Sequence, residues 1–154
     1  MKIVSVKLSA KEAKLLKLRG WNFDWDEGAT DLITGSSVLK AIVIEDEIEG
    51  LIEYEIVQQD LYVFAHKLEI DPHNRGEEKK HEGIAGTLLA YVAKESFNSG
   101  CDGFVVLISK SKLYDYYQTQ YGAKPLGGLK LHFDTEASKK LIKEYLVGKE
   151  IQYD

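Results

Sequence analysis

Apolar positions change their spacing several times along the chain, and each change marks an element. Val4, Val6 and Leu8 alternate with Lys2, Ser5 and Lys7, the period of a half-buried strand. Ser9 and Glu12 have capping-box spacing, and Leu15, Leu16 and Leu18 then give a short amphipathic helix that ends at Gly20. Residues 21–37 are irregular and rich in aromatics and acids (WNFDWDEGATD). Residues 38–44 and 51–57 read as strands joined by the turn EDEIEG, and residues 61–70 as a longer strand stopped by Pro72. Residues 83–97 carry Ile84, Leu88, Leu89, Val92 and Ala93 at helical spacing. Residues 103–108 form a continuous apolar run, which suits a strand covered on both faces. Ser111 can cap a helix through Tyr121, with Gly122 at its C′ position. A short strand over 129–133 precedes a last helix, capped by Asp134 or Thr135 and running through Leu146.

The predicted order is β-α-(α)-β-β-β-α-β-α-β-β-α. A meander followed by a βαβ unit implies an α/β chain with a central mixed antiparallel and parallel sheet, flanked by helices on both faces. No linker interrupts it, so residues 1–154 read as a single domain, and a chain of this length buries about 70% of its unfolded surface. The net charge of −5 argues against a nucleic-acid partner held by a global basic field. No apolar run approaches the roughly 18–20 residues of a membrane span, and the N-terminus lacks the pattern of a signal peptide. A cytoplasmic protein with no membrane partner is expected. With one cysteine and no His-x₃-His pair, no metal site is expected.

The stretch LEIDPHNRGEEKKHEGIAGTLLAYVAKES carries the chemistry. A strand ends, a polar loop follows, and Gly83, Ile84, Ala85 and Gly86 open a helix. Unpartnered N–H groups and the positive dipole end make a helix start a site for anions, phosphate above all. Small residues there allow close approach of a ligand, or equally tight packing of helix on strand. Arg75, Lys79 and Lys80 stand just upstream. Neither the P-loop pattern nor G-x-G-x-x-G is present.

Lys80-His-Glu-Gly83-Ile84-Ala85-Gly86 resembles motif A of the GNAT N-acetyltransferases, Arg/Gln-x-x-Gly-x-Gly/Ala. Leu113-Tyr-Asp-Tyr-Tyr117-Gln-Thr-Gln-Tyr-Gly122-Ala123 resembles the family's aromatic second signature, and the apolar run between them completes the order. The chain is also similar to a bacterial subset of GNAT-like proteins. The resemblance implies a GNAT-like fold and acetyl-CoA as co-substrate. It implies pairing of the pantetheine arm with the backbone of Leu68, Glu69 and Ile70, in a splay between residues 61–70 and 103–108. It places the pyrophosphate on the N–H groups of His81, Glu82, Gly83, Ile84, Ala85, Gly86 and Thr87. It gives Tyr117 the task of protonating the departing thiolate, which a phenol with an ordinary pKa of about 10 suits. The chain departs from the pattern in three places. Pro72-His-Asn-Arg75-Gly76 also fits the family's lead-in, which leaves residues 77–81 as an insertion and either Arg75 or Lys80 at the basic position. Tyr116 and Tyr114 compete with Tyr117. Ser109 or Lys110 stands where the family has asparagine.

Several residues have two readings. His66 is the best general base by residue type; it is placed on one strand face with Phe64 and Leu68, with Glu69 opposite, structural or solvated, and it could instead be a packed strand histidine. Glu53 and Glu55 are weaker alternatives. Trp21, Phe23 and Trp25 either line an acceptor pocket or staple their segment to the core, and Asp24, Asp26 and Glu27 beside them suit a cationic amine. Cys101 reads as a small buried residue. The implied activity is transfer of acetyl from acetyl-CoA to a primary amine, small-molecule or peptide, by direct attack. The alternative is a non-catalytic CoA-binding or partner-binding module on the same fold. The resemblance also implies a homodimer, for which residues 129–133 offer an edge strand.

Overall fold

A computed structural model describes residues 1–154. In chain order the elements are β1 (Lys2–Ser5), α1 (Ala10–Leu18), β2 (Val38–Ile44), β3 (Glu47–Val57), β4 (Tyr62–Ile70), α2 (Ile84–Asn98), β5 (Val105–Ile108), α3 (Tyr114–Tyr121), β6 (Lys124–Gly127), β7 (Lys130–Phe133), α4 (Thr135–Tyr145) and β8 (Gln152–Tyr153). The strands form one mixed sheet in the order β6-β7-β5-β4-β3-β2-β1-β8. From β1 to β4 the pairing is antiparallel; β4 and β5 are parallel, joined by α2 as the crossover. No helix is long and apolar enough to cross a membrane.

Both faces of the sheet are covered. On one face Ile52, Tyr54, Val63 and Ala65 pack against Leu88 and Leu89 of α2, Tyr117 of α3 and Leu141 of α4. On the other, Ala41 and Leu51 pack against Leu16 of α1 and against Trp21 and Trp25. Ser9 and Glu12 cap α1 reciprocally, Asp134 caps α4 through the Ala137 N–H, and Gly122 ends α3 in the left-handed conformation.

Four local expectations need correction. The bracketed second helix of the predicted order is absent, because residues 21–37 form neither helix nor strand. EDEIEG is mostly strand, because Glu45 and Asp46 alone make the turn, with φ of 51° and 67°, and β3 starts at Glu47. The stretch after Ser111 opens as a 3-10 turn over Ser111–Leu113 before α3 begins. Residues 129–133 are not an edge, because β6 pairs outside β7. β6 carries Pro125 and has no buried residue, so no apolar period announces it. The two-residue β8 likewise has no pattern to show.

Gly50 sets the distance between sheet and helix. A Cβ there would come within 2.7 Å of Ile84 and 2.9 Å of Leu88, both buried. Gly50→Ala therefore overpacks the interface under the start of α2. A loss of about 1–3 kcal/mol is expected, read as a fall in Tm of about 2–4 °C per kcal/mol. An unchanged Tm would mean that α2 is free to shift.

Candidate active site

β4 and β5 pair only at Val63–Val105, Phe64–Val106 and Ala65–Leu107. β4 then continues to Ile70 with no strand on that side, while β5 ends at Ile108. A cavity of about 360 Å³ opens where they part. Leu68, Ile70, Ile84, Ala85, Leu89, Leu107 and Leu113 give it apolar walls, and Arg75, Gly76 and Lys79 line it from the loop after β4.

The register of β3 on β4 slips just where the strands part. Glu53 pairs with Lys67 and Tyr54 with Ala65, so His66 is the extra residue of a β-bulge. Directly paired residues share a face. Val63 and Ala65 therefore face α2 before the bulge, and Leu68 and Ile70 face it after. Phe64, His66, Lys67 and Glu69 share the opposite face. This corrects the expected alternation: His66 lies away from Leu68 and on the same side as Glu69.

Glu69 is buried and structural, not solvated. It accepts hydrogen bonds from the N–H groups of Asn22 and Phe23 and from Trp25 Nε1 at 2.9 Å, and Arg75 stands 3.4 Å away. Asp71 accepts from Trp21 Nε1 at 2.9 Å. Glu53 takes the Ala29 N–H and the Ser37 hydroxyl. Glu55 takes the N–H groups of Ile33 and Thr34, the Thr34 hydroxyl, and His66 Nε2 at 2.6 Å. These carboxylates clamp residues 21–37 onto the sheet. Burial pushes the Glu55 carboxyl up, but hydrogen bonds from Thr34, Ile33 and His66 outweigh it and hold the group down at about 2. Trp21 and Trp25 are thus staples, while Phe23 lines the cavity. A second, more open cavity of about 330 Å³ adjoins the first, sharing Phe23, His66 and Lys67; Asp24, Glu27 and Asp31 line it, and Asp26 does not.

Of the tyrosines, Tyr116, Tyr117 and Tyr121 line the main cavity and Tyr114 does not. Burial, reinforced by Tyr116, pushes the Tyr117 phenol up to about 12. Burial and the same neighbour also raise Tyr121. The Tyr117 hydroxyl has no protein partner, and no fully buried side-chain nitrogen or oxygen is left unpaired, so the hydroxyl keeps access to solvent on a residue that lines the cavity.

At the basic position Arg75 lines the cavity and Lys80 does not. Arg75 donates to the Ile70 carbonyl at 2.8 Å, whereas Lys80 is exposed and its N–H bonds the His73 carbonyl. The His81 N–H is taken by Asn74 Oδ1, and its ring faces Glu49, so it points away from the expected anion. Glu82 is exposed outside the cavity. Gly83, Ile84 and Ala85 line it, ahead of the first intrahelical bond, Thr87 N–H to Gly83 O. Gly86 and Thr87 lie behind them. Gly86 is small for packing: a Cβ there would meet the Tyr145 ring at 2.4 Å.

Lys67, Lys112 and Tyr121 also line the cavity without having stood out in the sequence, and so does Lys110, there only a stand-in for asparagine. The alternation Ser109-Lys110-Ser111-Lys112 past the end of β5 was the available signal. Lys110 Nζ lies 4.8 Å from the Phe23 ring centre. Lys67, Arg75, Lys79, Lys110 and Lys112 line the cavity with one carboxylate, Glu69. Lys67 is paired with Glu53 at 3.5 Å and Arg75 with Glu69, so the basic character rests on Lys79, Lys110 and Lys112, which form no ion pair.

Solved structures show the same architecture. BjaI, a CoA-dependent acyl-homoserine lactone synthase solved with MTA, superposes with a TM-score of 0.62 over 99% of this chain and 92% of its own, at 10% identity. AtaT, a toxin solved with the C-terminus of the antitoxin AtaR and acetyl-CoA, gives 0.53 over 70% and 72%, at 18% identity. Nourseothricin acetyltransferase gives 0.50 over 65% and 66%, at 13% identity. The chain has the GNAT fold. No protein-family model matches the sequence, and no curated protein matches it.

The hydrogen bonds that hold Glu55 ionised also tie the clamp to pH. An unfolded glutamate takes up its proton near pH 4.5, the folded one near pH 2. The clamp's stabilisation is therefore complete above pH 4.5 and is lost as pH falls toward 2. Hydrogen-exchange protection factors at the Ile33 and Thr34 amides are expected to hold from pH 7 to about 4.5 and to fall below it. Protection unchanged at pH 2.5 would show that Glu55 does not anchor this segment.

Proposed function

We propose that the protein transfers an acetyl group from acetyl-CoA to a primary amine, in a ternary complex. The observation that carries this is the basic cavity between the parted strands, inside a protein of net charge −5. An exposed strand edge beside apolar walls suits an extended pantetheine arm. The cations at its rim suit phosphates. The start of α2 at Gly83, Ile84 and Ala85 offers free N–H groups at the same rim. CoA would thus lie along Leu68, Glu69 and Ile70 with its phosphates toward Arg75 and Lys79, clear of Lys80, His81, Glu82, Gly86 and Thr87, which do not line the cavity.

The amine would approach through the adjoining acidic cleft, past Phe23. Asp24, Glu27 and Asp31 there attract a cation, which favours a small-molecule or peptide amine over a nucleic acid. Nitrogen attacks the thioester carbonyl and the C–S bond breaks. Tyr117 gives its proton to the departing thiolate, and its phenol, protonated up to about pH 12, is suited to that task. His66, on the wall shared by both cavities, takes the proton that nitrogen loses. Holding the two substrates in adjoining cavities supplies rate by proximity.

Calorimetric titration with acetyl-CoA, with CoA and ADP as controls, tests the cofactor half. Micromolar binding, much tighter for acetyl-CoA than for ADP and weakened in Lys79→Ala, is expected. No binding near millimolar ligand would overturn it. An amine panel tests the transfer half. Tyr117→Phe should lower kcat by about 10²-fold with little change in acetyl-CoA affinity. Tight acetyl-CoA binding with no transfer to any amine would instead support the non-catalytic binding module.

A further inference from the structure

The inference rests on the transfer reading above and concerns which nitrogen of His66 does the work. The His66 side chain is 8% exposed and that of Glu55 is fully buried. Glu55 is held from three directions by the Ile33 N–H, the Thr34 N–H and the Thr34 hydroxyl, so it cannot turn away from the ring. Its remaining contact is His66 Nε2, at 2.6 Å. An ionised carboxylate only accepts hydrogen bonds, so the nitrogen facing it carries the proton. That leaves the lone pair of the neutral imidazole on Nδ1. Nδ1 has no protein partner, and since no fully buried side-chain nitrogen or oxygen is unpaired, it keeps access to solvent; the residue's accessible surroundings are the basic cavity and the acidic cleft, both of which it lines. The Phe64 ring, 4.6 Å away and tilted by 33°, braces the imidazole along its face. Securing residues 33 and 34 needs only the contacts to Ile33 and Thr34. The extra contact goes to the one histidine that lines both cavities.

We propose that Glu55 is a positioning residue: it holds His66 as the Nε2–H tautomer and so presents Nδ1 as the proton acceptor for the attacking amine. As the N–C bond forms, the proton passes from the amine nitrogen to Nδ1. Glu55 remains a carboxylate and stabilises the imidazolium, which then releases the proton to solvent.

Protein labelled with ¹⁵N in its imidazoles tests this, with His66 assigned by its loss in His66→Gln. Long-range ¹H–¹⁵N spectra of neutral His66 are expected to show the Nε2–H tautomer in the wild type and a shift toward Nδ1–H in Glu55→Gln. Glu55→Gln should also lower kcat for amine acetylation by about 10- to 100-fold, with the KM for acetyl-CoA within about twofold, and Glu55→Asp should recover part of kcat. If Glu55→Gln loosens residues 33 and 34, the wild-type tautomer and the Glu55→Asp variant still decide. Transfer by a wild type that holds the Nδ1–H tautomer would overturn the positioning role alone. The expected tautomer with no transfer to any amine would overturn the transfer reading and this role with it.

Discussion

Four carboxylates buried on one face of the sheet hold this structure's site together. Glu53, Glu55, Glu69 and Asp71 sit where an ionised group is costly unless its lone pairs are filled. The irregular residues 21–37 fill them, with backbone N–H groups, two indole N–H groups and two hydroxyls. The dependence is mutual. This segment has no ladder or helix of its own to satisfy its backbone, and the carboxylates do so in their place. Everything on that side of the site follows from the clamp: Phe23 at the cavity wall, the acidic cleft beside it, and the imidazole of His66 fixed against Glu55.

The bulge at His66 is the second constraint. Inserting one residue in β4 lets Ala65 and Leu68 both face α2, so the core stays continuous while the strand changes phase. The same residue marks the end of pairing with β5. Strand parting, change of phase and placement of the imidazole are thus one local event. A strand of unbroken alternation would have put either Leu68 or His66 on the wrong face.

Charge is distributed against the average. The whole chain is acidic, but Lys67, Arg75, Lys79, Lys110 and Lys112 converge on one cavity from β4, the following loop and the end of β5. Local field and not net charge governs which ligand such a cavity attracts. The loop that carries Arg75 and Lys79 is set from behind. Asn74 and His73 both bond Glu49, and Asn74 Oδ1 accepts from the His81 N–H. The inserted residues 77–81 therefore fold back onto the protein and leave Arg75 at the rim.

Elements whose burial is periodic were legible from sequence: β2, β4, α2, β5 and α4 fall close to where apolar spacing puts them, and the caps at Ser9, Asp134 and Gly122 are local chemistry that short stretches of chain specify by themselves. The GNAT-like order of motifs was legible for the same reason, since each motif is contiguous. Elements without a buried face, β6 and β8, leave no period to read. The tertiary structure alone decided the matters that depend on pairing between distant segments. One-residue slips such as the bulge opposite Glu53 and Tyr54 do not alter composition or local pattern, yet they set which way His66 points. Likewise Glu69 and Glu55 look like solvated strand residues until residues 21–37 lie across them, and Gly86 looks like a ligand contact until Tyr145 of a helix far along the chain occupies the space its missing Cβ leaves. A sequence fixes local spacing, but a register and a partner's position are properties of two segments at once.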